Sequence, residues 1–78
     1  METREIERNV RSVVSDVSGI PPHADADADL YLDLGMASVH ALALLTELEG
    51  RFGVAIPDEK FVEATSISKL TALLKTHV

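Results

Sequence analysis

The run Asp33-Leu34-Gly35-Met36-Ala37-Ser38, followed without a break by Val39-His40-Ala41-Leu42-Ala43-Leu44-Leu45, decides how this chain is read. Serine is a favoured helix N-cap, so the pattern predicts a helix from about Ser38 to Phe52, ended by Gly53. The Ser38 hydroxyl then stands at the mouth of that helix, beside unpaired backbone N–H groups and the positive end of the helix dipole. Such a position suits a phosphodiester-linked prosthetic group. A serine that simply caps its helix is the other reading of the same local pattern.

On either side the signal is also helical. Ile6, Val10, Val13, Val14 and Val17 recur at helical spacing, which predicts an amphipathic helix from about Glu2 to Val17. Ser18-Gly19 stops it and Pro21-Pro22 prevents its resumption. Residues 19–37 form a long connection, with Leu30, Tyr31, Leu32 and Leu34 as its expected anchors on the helices. Beyond Gly53, Pro57 opens a short helical turn over roughly Asp58 to Ala64. Thr65 or Ser66 then caps a last helix carrying Ile67, Leu70, Leu73 and Leu74. No alternating strand pattern of useful length exists. Three amphipathic helices and one short one, each stripe covering the others, predict an all-α bundle in a single domain over residues 1–78.

Composition narrows the function. Seventy-eight residues support only a modest core. No stretch reaches the ~20 apolar residues of a membrane span, and Met1-Glu2-Thr3-Arg4-Glu5 lacks the order of a signal peptide, so a cytoplasmic protein is expected. A net charge of −6 argues against nucleic acid as partner. Arg4, Arg8 and Arg11 fall among glutamates on one helix, the usual mark of a solvated face. Cysteine is absent, so thioester chemistry would need a thiol brought by a cofactor.

Conventional catalytic and metal constellations fail. Asp25, Asp27 and Asp29 invite a calcium loop, but its sixth position is Leu30 rather than glycine and its twelfth Met36 rather than glutamate. His23, His40 and His77 have no partner at zinc-ligand spacing. Ser38 and His40, two residues apart on one helix, diverge by about 200°, and no G-x-S-x-G elbow is present. No metal ligand and no catalytic residue is assigned.

The second helix carries more information. At ~100° per residue, Ala41, Leu44, Leu45, Leu48 and Phe52 share a core face. Val39, Ala43, Thr46 and Gly50 share the opposite one, with Glu47 and Glu49 at its margins. That nearly uncharged surface beside Ser38 is a candidate docking face. Gly50 weakens the helix there by up to ~1 kcal/mol, which close approach of a partner or early fraying would explain.

D-L-G-x-x-S from Asp33 to Ser38, the apolar helix, and R-F-G-V-x-I-P from Arg51 to Pro57 together resemble the acyl carrier protein family. The resemblance implies an all-α four-helix bundle with a long loop between helices 1 and 2 and a short third helix. It implies that Ser38 bears 4′-phosphopantetheine, taken from coenzyme A, whose thiol holds acyl or aminoacyl groups as thioesters. It also implies a monomeric, non-catalytic carrier. Its partners would be a phosphopantetheinyl transferase, an acyl- or aminoacyl-loading ligase, and downstream synthase or transferase enzymes. Met36, Ala37, Val39, His40, Ala43, Thr46 and Glu47 are the expected docking residues around the arm. Two positions depart from the family pattern: Ala37 stands where an aspartate is usual, and Ala43 where many fatty-acid carriers have glutamate. Both point to a specialised stand-alone carrier, polyketide, secondary-metabolite or aminoacyl, that docks by apolar fit. The alternative is a carrier-like interaction module that is never modified.

Overall fold

The computed structural model describes residues 1–78 and contains four helices: α1 (Thr3–Ser18), α2 (His40–Phe52), α3 (Asp58–Phe61) and α4 (Ile67–Lys75). α1 forms because Ile6, Val10, Val13 and Val14 give it one unbroken apolar stripe, which is buried against α2 and α4. Gly19 ends it in the left-handed conformation, φ +80°, and donates its N–H to the Ser15 carbonyl at 2.8 Å. Leu44 and Leu48 of α2 and Ile67, Leu70 and Leu74 of α4 complete the core with Ile20, Leu30, Met36, Ile56, Phe61 and Ala64. Ser66 caps α4, its hydroxyl accepting the Lys69 N–H at 3.1 Å.

Several sequence expectations shift. α2 begins at His40, not Ser38, and α3 ends at Phe61, three residues before Ala64. Ala41, Leu45 and Phe52, expected on the core face of α2, are only half-buried, so the stripe that is fully covered narrows to Leu44 and Leu48. Leu32, expected as a loop anchor, is 86% exposed, whereas Leu30 is fully buried and Tyr31 and Leu34 lie half-buried on the core. The N–H of Leu32 is drawn to the Asp29 carboxylate, which turns its side chain outward.

Arg11 does more than solvate α1. Its guanidinium donates to the carbonyls of Pro22 at 2.8 Å and Ala24 at 2.6 Å, and pairs with Glu7 at 3.0 Å. This clamp holds the start of the long connection. Further along, the Ser68 N–H donates to Ala26 at 2.9 Å and the Ser68 hydroxyl to Asp27 at 2.8 Å, while the Leu30 N–H donates to Thr65 at 2.8 Å. A long segment without helix is thus tied to α1 and to the head of α4, which satisfies its backbone groups.

Candidate functional site around Ser38

The approach to Ser38 is built by two aspartates. Asp29 Oδ1 accepts the N–H groups of Tyr31 and Leu32, both at 2.9 Å, and Asp33 Oδ2 accepts the Asp29 N–H at 3.0 Å. The Leu32 hydrogen bond holds the Asp29 carboxyl below its usual pKa, outweighing the upward pull of partial burial, with the Tyr31 N–H adding to the lowering. Burial, with the Asp29 charge added, pushes the Tyr31 phenol up. The acidic stretch is therefore a set of turn caps, since Asp25 also accepts the Asp27 N–H, at 2.9 Å. Gly35 then takes φ +81°, which a side chain would resist. Met36 follows, its N–H donating to Leu30 at 2.8 Å and its side chain only 3% exposed.

Ser38 and Val39 form an exposed turn ahead of α2. The entry is tight: the His40 N–H donates to Ala37 at 2.9 Å and the Ala41 N–H to Ser38 at 3.0 Å, both three residues apart. Val39, at φ −62° and ψ −24°, is already helical, so no extended residue turns a side chain back onto the first amides. Ser38 is accordingly not the expected N-cap. Its hydroxyl caps nothing, and the N–H groups of Ala37, Ser38 and Val39 find no acceptor in the chain.

The other serines differ. Ser18 donates its hydroxyl to the Val14 carbonyl, Ser66 accepts from Lys69, Ser68 donates to Asp27, and Ser12 and Ser15 are half-buried along α1. Only Ser38 combines exposure, an uncommitted hydroxyl and neighbouring free amides.

Of the expected docking residues, Ala37, Val39, Ala43, Thr46 and Glu47 are exposed with Gly50. Met36 is corrected: its side chain fills the core beneath the turn and is not available to a partner. His40 is half-buried, with Nδ1 inside and without a hydrogen-bond partner. Glu49, expected at the margin of this face, is occupied by the fold, accepting the Ile56 N–H at 2.8 Å.

The sequence reading missed a groove between α2 and α3. It is a shallow, open groove of about 300 Å³ lined by Ala41, Leu42, Leu45, Asp58, Phe61 and Val62. Leu42 is 72% and Val62 67% exposed, so its walls stand open to solvent. The available signal was Leu42 itself, an apolar residue off the core stripe of α2.

A family model described as a phosphopantetheine attachment site matches residues 8–74. An acyl carrier protein of Akkermansia muciniphila is 30% identical over 76 residues, covering 96% of this chain and 95% of that protein. An acyl carrier protein of Rickettsia bellii is 29% identical over 73 residues, covering 92% and 85%. A non-reducing polyketide synthase of Emericella nidulans is 28% identical over 76 residues, covering 97% of this chain and 3% of the synthase. The geometry fits such a group. A phosphodiester on the Ser38 oxygen would stand ahead of α2, whose first turn holds no acidic residue, in a stretch where the amides of Ala37, Ser38 and Val39 are unpaired.

Proposed function

The chain belongs to the acyl carrier protein family, and from that premise we propose that Ser38 is its point of attachment and that it serves a specialised pathway. As a member, it is an acyl carrier with covalently bound 4′-phosphopantetheine, and it works with a phosphopantetheinyl transferase and with synthase enzymes. Carriers of this family are generally non-catalytic. We extend that to this chain, and we read residues 1–78 as one carrier domain. No helix is long and apolar enough to cross a membrane, and we place the protein in the cytoplasm.

One observation carries the assignment of Ser38: an exposed hydroxyl that no part of the fold uses, with free amides on both sides. When attached, the prosthetic group supplies a thiol that holds acyl groups as thioesters. The chain's own residues do the positioning. The Asp29–Asp33 turn and the buried Met36 fix where the Ser38 oxygen stands. The amides of Ala37, Ser38 and Val39 offset the negative charge of the diester. Ala37, Val39, Ala43 and Thr46 offer partners an apolar face, bordered by Glu47 and the edge of His40. The absence of acids from the first turn of α2 supports docking that depends little on charge and on salt. That surface favours polyketide, other secondary-metabolite or aminoacyl cargo over the general fatty-acid role.

The test is intact mass after incubation with coenzyme A and a permissive transferase. One phosphopantetheine should add to the parent and none to Ser38→Ala. Equal addition to both proteins would move the attachment elsewhere.

A further inference from the structure

We propose that Leu32 is a recognition knob for the phosphopantetheinyl transferase, entering an apolar pocket on that enzyme while it acts on Ser38. The proposal rests on the attachment at Ser38 given above and adds a residue that decides which transferase binds. Leu32 is 86% exposed, more than any other large apolar side chain of this protein. A lone exposed leucine is ordinary on a protein surface, but this one is held in a fixed place. All four amides from Tyr31 to Leu34 bond to Asp29: those of Tyr31 and Leu32 to Oδ1, both at 2.9 Å, and those of Asp33 and Leu34 to its carbonyl, at 2.9 and 3.0 Å. The Met36 N–H then closes onto the Leu30 carbonyl at 2.8 Å, and both side chains are sunk in the core. The fold thus fixes the backbone of Leu32 and leaves its side chain in water. A partner that covers it orders little new backbone and removes a whole leucine from solvent.

The chemistry selects the transferase as the occupant. It meets the carrier before any arm exists, so it must find the protein by the protein's own surface. In its reaction the Ser38 oxygen forms a new P–O bond and the diphosphate P–O bond of coenzyme A breaks. Adenosine 3′,5′-bisphosphate leaves with the electron pair, and the hydroxyl proton passes to the transferase. That enzyme must therefore lie directly against Ser38, whereas later enzymes act on the thiol at the far end of the arm. Leu32 is within its reach. The Leu30–Met36 hydrogen bond joins two residues, of which one is two positions from Leu32 and the other two from Ser38, so Leu32 and Ser38 stand within about 20 Å at ~3.6 Å per residue. A standard interface covers ~800 Å² per partner, a patch about 30 Å across and wide enough for both. Charge offers little for recognition here, since α2 has no acid in its first turn and Ala37 and Val39 beside Ser38 are exposed and apolar. The exposed acid next to Leu32, Asp33, has Oδ2 occupied by the Asp29 N–H. An apolar pocket fits this surface better than a basic patch.

The experiment uses the full chain in its unmodified form, with coenzyme A and a permissive transferase, and follows modification by intact mass over a range of carrier concentrations. The parent is compared with Leu32→Ala and Leu32→Met. Leu32→Ala should raise KM for the carrier about fivefold or more with kcat within about twofold, and Leu32→Met should stay within about twofold of the parent in both. Thermal melting of the three should coincide, because the side chain is no part of the core. An unchanged KM in Leu32→Ala, a fall in kcat alone, a KM raised as much by Leu32→Met, or a raised KM accompanied by a lower melting temperature would each overturn the proposal while leaving the carrier role intact. Addition to Ser38→Ala as readily as to the parent would instead remove the attachment at Ser38, and the proposal with it.

Discussion

Asp33 and Asp29 bind each other through the backbone: the Asp33 carboxylate accepts the Asp29 N–H at 3.0 Å, while the Asp29 carbonyl accepts the Asp33 N–H at 2.9 Å. This reciprocal pair closes the turn that delivers Gly35, Met36 and Ser38. The aspartate that opens the D-L-G-x-x-S run is thus a structural residue, and its effect on Ser38 is positional.

The same turn makes stability depend on pH. Asp29 sits below its ordinary value of 3.8 in the folded chain, chiefly through the Leu32 hydrogen bond, so the unfolded chain binds more protons in that range. Its contribution is complete above about pH 4 and is lost as pH falls through the folded value. Thermal melts from pH 6 down to pH 3 should show Asp29→Asn losing less stability on acidification than the parent. Parallel curves would remove this role.

Arg11→Met keeps the aliphatic stem and deletes the donors to Pro22 and Ala24. Because the clamp is partly solvated, the expected cost is about 1–2 kcal/mol by urea denaturation. Hydrogen exchange should quicken at the amides of Ala24 and Ala28, which close the two turns nearest the clamp.

Gly50 lies inside α2 without a positive φ, and a Cβ there would meet nothing within 4 Å. Gly50→Ala should therefore raise stability by about 1 kcal/mol. A gain in stability together with slower loading by the cognate ligase would place a close partner contact at this point. A gain with unchanged loading would assign Gly50 no docking role.

Val39→Glu and Ala43→Glu should leave the helical spectrum unchanged and slow loading several-fold, since both positions are exposed. In contrast, Leu48→Ala opens a cavity in a fully buried site and should cost about 2–5 kcal/mol. Leu42→Ala, at 72% exposure, should change stability by no more than about 0.5 kcal/mol.

Helix identities were legible because apolar spacing and stop residues acted together: Ile6 to Val14 with Gly19, and Leu44 and Leu48 with Gly53. What escaped depended on hydrogen bonds between distant segments. Nothing adjacent in sequence marks Arg11 as the partner of Pro22 and Ala24, or Ser68 as that of Asp27. Ser38 was legible as a residue standing ahead of α2 but not in its geometry, since a serine at such a place usually caps. Here the helical Val39 removes the cap and frees the hydroxyl. Met36 was misplaced for a related reason: proximity to Ser38 in sequence says nothing of the side chain's turn into the core.

The central claim is an arm on one oxygen. Protein purified from its native cells, digested and sequenced by tandem mass spectrometry, tests it most directly. The account predicts phosphopantetheine on the peptide containing Ser38 and on no peptide carrying Ser12, Ser15, Ser18, Ser66 or Ser68. A bare Ser38 peptide throughout, or the group found on another serine, would contradict it.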